Sequence, residues 1–208
     1  MTTIFHLEAK QLGCIRQRKF LFPAVSFSLH PGEVLLVEGA NGTGKSSLLR
    51  LIAGATTPAA GMMYWNGDTV HTGLSEYTEA LHYIGHTNGI RLGLTVAENL
   101  LLAGELSQQT VTNLEATLAL LQLTDLQHTQ TQFLSAGQKR RVALARLFYI
   151  KRKLWILDEP FTALDADTQQ LLLTKIEEHL IHGGMCVMTS HQPVAFTIPF
   201  QSLRLTAC

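Results

Sequence analysis

Residues Gly39-Ala40-Asn41-Gly42-Thr43-Gly44-Lys45-Ser46 match the spacing G-x-x-x-x-G-K-[S/T] at every position. Residues of these types in this order suit phosphate. Glycines let backbone N–H groups turn inward around phosphate oxygens, the Lys45 ammonium neutralises their charge, and the Ser46 hydroxyl can ligate magnesium. The ligand this implies is a nucleoside triphosphate such as ATP, its phosphates held along Gly39–Ser46 and by Ser47 in the first turn of the helix that follows. A second group of chemical interest is Leu154-Trp155-Ile156-Leu157-Asp158-Glu159, four apolar residues that deliver two carboxylates. Asp158 would hold the hydration shell of a magnesium ion, and Glu159 would polarise an attacking water as a positioned base. Acids often end a strand only because loops are polar; their pairing with the glycine loop favours the catalytic role.

These groups need a scaffold, and the flanking patterns describe one. Val34-Leu35-Leu36-Val37 reads as a buried strand entering the glycine loop, and Ser47-Leu48-Leu49-Arg50-Leu51-Ile52-Ala53 as a helix leaving it. The positive end of that helix would face the phosphates. From Phe5 to Leu29 the pattern is strand-like, with Val25, Phe27 and Leu29 alternating against Ser26 and Ser28 before a His30-Pro31-Gly32 turn, as in an antiparallel edge. Met62-Met63-Tyr64-Trp65 followed by Asn66-Gly67 predicts a strand running into a tight hairpin. In the middle, Val111, Leu114, Leu118 and Leu121 recur at helical spacing, and a mainly helical subdomain is expected over about 87–140. Further helices are expected from Arg141 to Tyr149 and through Leu171, Ile176 and Leu180, with strands at 154–157 and 186–188. Strands separated by helices predict an α/β fold with a mainly parallel core sheet and ligands at the strands' C-terminal ends.

Bulk properties narrow the function classes. The 208 residues, 46% of them hydrophobic, can core one domain. Sixteen basic residues balance sixteen acidic ones, so no global field draws the chain to nucleic acid or to an anionic surface. Cys14, Cys186 and Cys208 are odd in number and far apart, which suggests neither a disulfide framework nor a zinc site. The first residues, Met1 to Glu8, lack the basic start and apolar core of a signal peptide, and the uncharged stretch 51–67 is broken by Thr, Pro and Gly well before membrane-spanning length. The nine histidines are scattered singly, with no Cys–His attachment motif, so haem binding by this chain itself is not expected.

Leu134-Ser135-Ala136-Gly137-Gln138, followed by the basic helix Lys139–Arg146, resembles the signature motif L-S-G-G-Q of the ATP-binding-cassette family, with Ala136 in place of the first glycine. Nearly the whole chain shares the resemblance. Phe161-Thr162-Ala163-Leu164-Asp165 resembles the family's D-loop, and Thr189-Ser190-His191 its switch histidine, which contacts the γ-phosphate and Glu159. The resemblance implies a P-loop NTPase fold in a single domain spanning 1–208, with an N-terminal antiparallel β subdomain and an α-helical subdomain. It also implies a head-to-tail dimer in which Ser135 and Gly137 of one copy face ATP held by the other. Without the family, Ser135 reads equally well as a helix cap.

Two positions depart from the family pattern. The family's glutamine that touches magnesium and signals to membrane subunits is matched by His86, either a metal-facing imidazole or an ordinary coupling-loop histidine. The adenine-stacking tyrosine is absent; Arg16 occupies its place and could stack its guanidinium on the base, while Phe20 and Phe22 nearby could be core. His86, Ala136 and the runs at 142–147 and 154–165 resemble the branch of the family that serves bacterial cytochrome c maturation. That resemblance implies integral membrane partners, a peripheral place on the cytoplasmic face of the inner membrane, and hydrolysis that drives haem export or release of a haem-loaded chaperone. The rivals are the ATPase subunit of another transporter for lipid, metal or drug, a soluble cassette acting on DNA or ribosomes, and a small-molecule kinase. The chain has no room for the coiled-coil insert or tandem cassette of the soluble class, and a kinase has no use for residues 134–138.

Overall fold

The alternating residues at 25–29 form an antiparallel strand, and the apolar runs at 34–37, 154–157 and 186–188 form parallel ones, as the burial of one face or two requires. The computed structural model describes residues 6–16, 18–70, 75–109, 111 and 113–207. Phe5, the expected start of the first strand pattern, and Cys208 lie outside them. The chain divides into two compact units, the first comprising residues 1–83, 152–159 and 176–208, the second 84–151 and 160–175. The segment 87–140 read as helical falls within the second.

In the first unit, β1 (Leu7–Gly13) is followed by the short hairpin β2 (Ile15–Arg16) and β3 (Lys19–Phe20), then β4 (Val25–Leu29) and β5 (Val34–Glu38). Helix α1 (Lys45–Ile52), β6 (Ala60–Trp65), β7 (Asp68–Thr69), α2 (Ser75–Ala80) and β8 (Leu81–Ile84) follow. The antiparallel sheet has the order β4-β1-β6-β7, so β4 is its edge and β1 is interior. Asn66 and Gly67 both take positive φ (55° and 90°), the pairing that a tight hairpin between twisted strands demands.

The second sheet has the order β11-β5-β10-β9-β8, with β9 at Leu154–Leu157, β10 at Met185–Thr189 and β11 at Gln201–Arg204. β5 and β9 both run parallel to β10, Val37 opposite Thr189 and Leu157 opposite Met188. β11 adds a parallel strand on the far side of β5. All residues of β9 and β10 are buried, which is why they read as unbroken apolar runs. The core beneath includes Leu48, Leu49, Ile52, Ile156 and Val187. Each such side chain contributes about 1.5–3 kcal/mol on burial. Trp65 packs edge-on to Tyr77 with centroids 5.4 Å apart, and the Tyr77 hydroxyl donates to the Ile52 carbonyl, which ties α2 to the end of α1. Cys14 and Cys186 are free thiols.

The second unit is built from α3 (Val96–Leu106), α4 (Leu114–Leu120) and α5 (Ala136–Tyr149), and takes in residues 166–175 of α6 (Ala166–Ile181). Val96, Leu100, Leu118, Leu121, Val142 and Tyr149 share its core, and the buried Tyr149 hydroxyl donates to the Leu100 carbonyl at 2.7 Å. The stripe from Val111 to Leu121 is not one helix. Asn113 takes a left-handed conformation (φ 61°) at the start of α4, which detaches Val111 from it. Conversely, α5 begins five residues before Arg141, because Ser135 caps it. No helix among the described residues is long and apolar enough to cross a membrane.

Candidate active site

The glycine loop sits between β5 and α1, and its backbone disfavours any residue but glycine at two points. Gly39 has φ 149°, and a Cβ there would lie 2.6 Å from the Leu205 carbonyl; Gly44 has φ 96°, and a Cβ there would meet the buried Phe22 ring at 2.7 Å. Thr43 closes the loop, its hydroxyl donating to the Ala40 carbonyl at 2.9 Å. Lys45 is 7% exposed, and its ammonium donates to the carbonyls of Gly39 (2.7 Å) and Ala40 (3.2 Å). That places a positive charge across the mouth of the loop. Gly44 is the cap of α1 and offers no side-chain acceptor, so no side chain caps the first N–H groups of the helix. Uncapped donors, a helix dipole and a cation together make an anion site.

The parallel register brings the other expected residues to the same edge of the sheet. β10 lies between β5 and β9, and successive strands are spaced about 4.8 Å apart. The glycine loop, Asp158-Glu159 and Thr189-Ser190-His191 therefore all leave the C-terminal ends of neighbouring strands. Asp158 is 1% exposed and its Oδ1 accepts a hydrogen bond from the Thr189 hydroxyl at 2.8 Å. Glu159 has φ 48°, a left-handed conformation that costs a residue with a Cβ about 1–2 kcal/mol. Its backbone N–H donates to Thr189 Oγ1 at 2.8 Å, and its Oε1 lies 2.6 Å from His191 Nε2. A carboxylate only accepts, so the Nε2 of His191 carries the proton in this contact. Tyr83, at the end of β8, has its phenol pushed up chiefly by burial; the nearby Asp158 charge adds to the shift, and a hydrogen bond from Arg50 opposes it.

Arg16 is exposed in β2, in register with Lys19. Of the two phenylalanines that could have been core, Phe22 is, with 0% exposure against Gly44, whereas Phe20 is 45% exposed.

In the second unit, Ser135 and Gln138 form a reciprocal cap on α5. Gln138 N–H donates to Ser135 Oγ at 3.2 Å and Ser135 N–H to Gln138 Oε1 at 2.8 Å. A Cβ on Gly137 would lie 2.7 Å from the Ala163 carbonyl, so a glycine is needed for the approach of residues 161–165. Asp165 accepts from Thr168 N–H at 2.9 Å and pairs with Arg141 at 2.5 Å. His86 is exposed just after β8. Sequence reasoning missed Arg140. Its buried guanidinium donates to the Gly85 carbonyl (3.0 Å), the Asn88 side chain (3.2 Å) and the Pro160 carbonyl (3.4 Å), and so fixes the segment that carries His86. Its only sequence signal is a charge on the face of α5 that also carries the buried Ala143, Leu144 and Leu147. Thr189 was likewise noticed only as part of a motif.

Among the described residues, no group of three or more His, Cys, Asp or Glu side chains could hold a metal ion. A divalent cation here would thus depend on nucleotide phosphates and water, with Ser46 and Asp158 oxygens as the protein's share, a donor set that suits magnesium.

Comparison with known proteins gives the family. The family described as ABC transporter matches residues 9–162. The cytochrome c biogenesis ATP-binding export protein CcmA of Dechloromonas aromatica is 45% identical over 200 residues, covering 95% of this chain and 97% of that one. A solved ATP-binding subunit of an ABC transporter superposes with a TM-score of 0.79 at 28% identity, over 89% of this chain and 79% of that one. The same fold is seen in a dimeric ATP-binding cassette in a post-hydrolysis state bound to ADP and Pi, with a TM-score of 0.76 at 21% identity over 89% of this chain and 88% of that one. The chain belongs to the ABC transporter family of nucleotide-binding ATPases, in the group of its CcmA relatives.

Proposed function

We propose that this chain is the ATP-hydrolysing subunit of a bacterial ABC complex for cytochrome c biogenesis, a single cassette domain across residues 1–208. The observation that carries the catalytic part is the linked set Asp158, Glu159, Thr189 and His191 at strand ends beside the Gly39–Ser46 loop. Backbone N–H groups of the loop, Lys45, and the Ser46 and Ser47 turn of α1 bind the triphosphate, and Arg16 stacks on the adenine. A magnesium ion bound with the nucleotide would be held through Ser46 and Asp158 and would neutralise charge on the phosphates. His86 is the third candidate ligand, but its nitrogen suits an oxygen-preferring cation poorly, which favours the coupling-loop role.

Glu159 orients a water for in-line attack on the γ-phosphorus. The water's oxygen bonds to phosphorus, the bond to the β-phosphate oxygen breaks, and the water's proton passes to Glu159. His191 holds the Glu159 carboxylate and reaches the γ-phosphate. Two copies bind head to tail, Ser135 and Gly137 of each completing the site of the other, and hydrolysis removes the charge that bridges them. Closure and reopening drive integral membrane subunits of the cytochrome c maturation complex from the cytoplasmic face of the inner membrane, to which this chain attaches peripherally. The step they drive is haem export or release of a haem-loaded chaperone. Nucleic acid has no part in this reading.

The test is to tag the chain in its native cell, solubilise membranes in mild detergent and identify what co-purifies. Integral cytochrome c maturation subunits with a haem chaperone are expected. A different permease would keep the ATPase and overturn the haem assignment.

A further inference from the structure

Thr189 ends a strand whose other residues, Met185, Cys186, Val187 and Met188, are apolar and fully buried, and it is itself 0% exposed. A valine would suit that position by packing alone. The hydroxyl has a defined orientation. The Glu159 N–H can only donate, so at 2.8 Å it takes a lone pair of Thr189 Oγ1; the hydroxyl proton must point elsewhere, and it points to Asp158 Oδ1 at 2.8 Å. One buried oxygen thereby fixes a carboxylate and the backbone of the next residue. That next residue is Glu159, held at φ 48° where a side chain of its kind rarely sits. Left to itself, the peptide would relax toward an ordinary extended or helical conformation and swing the Glu159 carboxylate away from His191.

We infer that Thr189 is a positioning residue for the hydrolytic reaction: its hydroxyl clamps the Asp158–Glu159 peptide in the left-handed turn that aims the Glu159 carboxylate. The inference rests on the reading of Glu159 as the residue that orients water. Thr189 is fully buried and its hydroxyl is engaged by Glu159 and Asp158, so its loss should act on turnover rather than on binding.

Thr189→Val keeps the shape and removes the hydroxyl, while Thr189→Ser keeps the hydroxyl and removes the methyl. Steady-state ATP hydrolysis, thermal melting, and exchange of the Glu159 amide proton by NMR are measured on the purified full chain for both variants and the parent. Thr189→Val should lower kcat roughly 10- to 100-fold with KM within about twofold, and speed Glu159 amide exchange at least about tenfold. Thr189→Ser should restore most of both. A Thr189→Val chain that turns over like its parent overturns the inference and leaves the ATPase reading intact. Equal losses in both variants overturn it too, since packing and not the hydroxyl would then matter. If the parent itself does not hydrolyse ATP, the ATPase reading fails instead, and the exchange data decide the clamp alone: unchanged exchange in Thr189→Val rejects it, while faster exchange restored by Thr189→Ser upholds it.

Discussion

α1 and α5 are the two helices whose N-termini carry residues expected to meet phosphate, and they are finished in opposite ways. α1 starts at Gly44, in a left-handed conformation with no side-chain cap. α5 starts at Ser135, which closes a reciprocal box with Gln138. The first helix leaves its donors for a ligand and relies on Lys45 for charge. The second satisfies its own donors and would fold the same way whether or not a phosphate ever arrived. Ser135 is thus a cap in fact. Its oxygen accepts a hydrogen bond from Gln138 N–H, and its own hydroxyl proton can still be donated. The two readings open at the sequence level are compatible: the residue can cap its helix and still offer one bond to nucleotide held by another copy.

This contrast gives predictions of decreasing size. Lys45→Ala should weaken ATP binding by roughly a hundredfold or more, as measured by titration with a fluorescent ATP analogue, because it removes the charged donor at the loop mouth. Ser135→Ala in the same assay should leave nucleotide binding by a single copy unchanged. Gly44→Ala should destabilise the fold by about 1–3 kcal/mol in urea unfolding, since it adds a Cβ at φ 96° against Phe22. Ser135→Ala should cost about 1 kcal/mol in stability, the ordinary worth of a helix cap, and should lower hydrolysis further than stability explains. If hydrolysis is untouched, Ser135 is only a cap.

Asp165 extends the self-capped class to α6. Its carboxyl is held below the usual carboxylate range, first by the Thr168 hydroxyl, then by the Thr168 N–H, with Arg141 adding a smaller part. A depressed folded value means the stabilisation is complete above about pH 3.9 and fades as pH falls through the lower folded value. The stability gap between parent and Asp165→Asn, followed by chemical unfolding against pH, should be level near neutrality and close below about pH 4.

The sequence revealed most where chemistry restricts residue type. Gly39, Gly44 and Lys45 were legible because few residues can replace them, and the backbone angles and contacts give the reason. Asp158 and Glu159 were legible as a pair but not in their geometry: nothing in the letters gives Glu159 a positive φ. Thr189 was hidden because threonine at a strand end is ordinary by β propensity, and its role depends on a partner thirty residues away. Arg140 was hidden in a run of basic residues, Lys139 and Arg141 beside it, that share its letter type but not its full burial. β11 and the β2–β3 hairpin were missed because exposed short strands carry no buried stripe. The helix expected through Val111 broke at Asn113, where a left-handed residue mattered more than spacing.

In the proposed mechanism the strand-end cluster of the first unit performs hydrolysis through Glu159. The direct measurement is phosphate release in a single turnover, comparing the parent with Glu159→Gln at equal ATP occupancy. Glu159→Gln should bind ATP as the parent does, stay in the closed pair, and release phosphate at least about a hundredfold more slowly. Phosphate release at the parental rate would contradict it and remove Glu159 from the role of base.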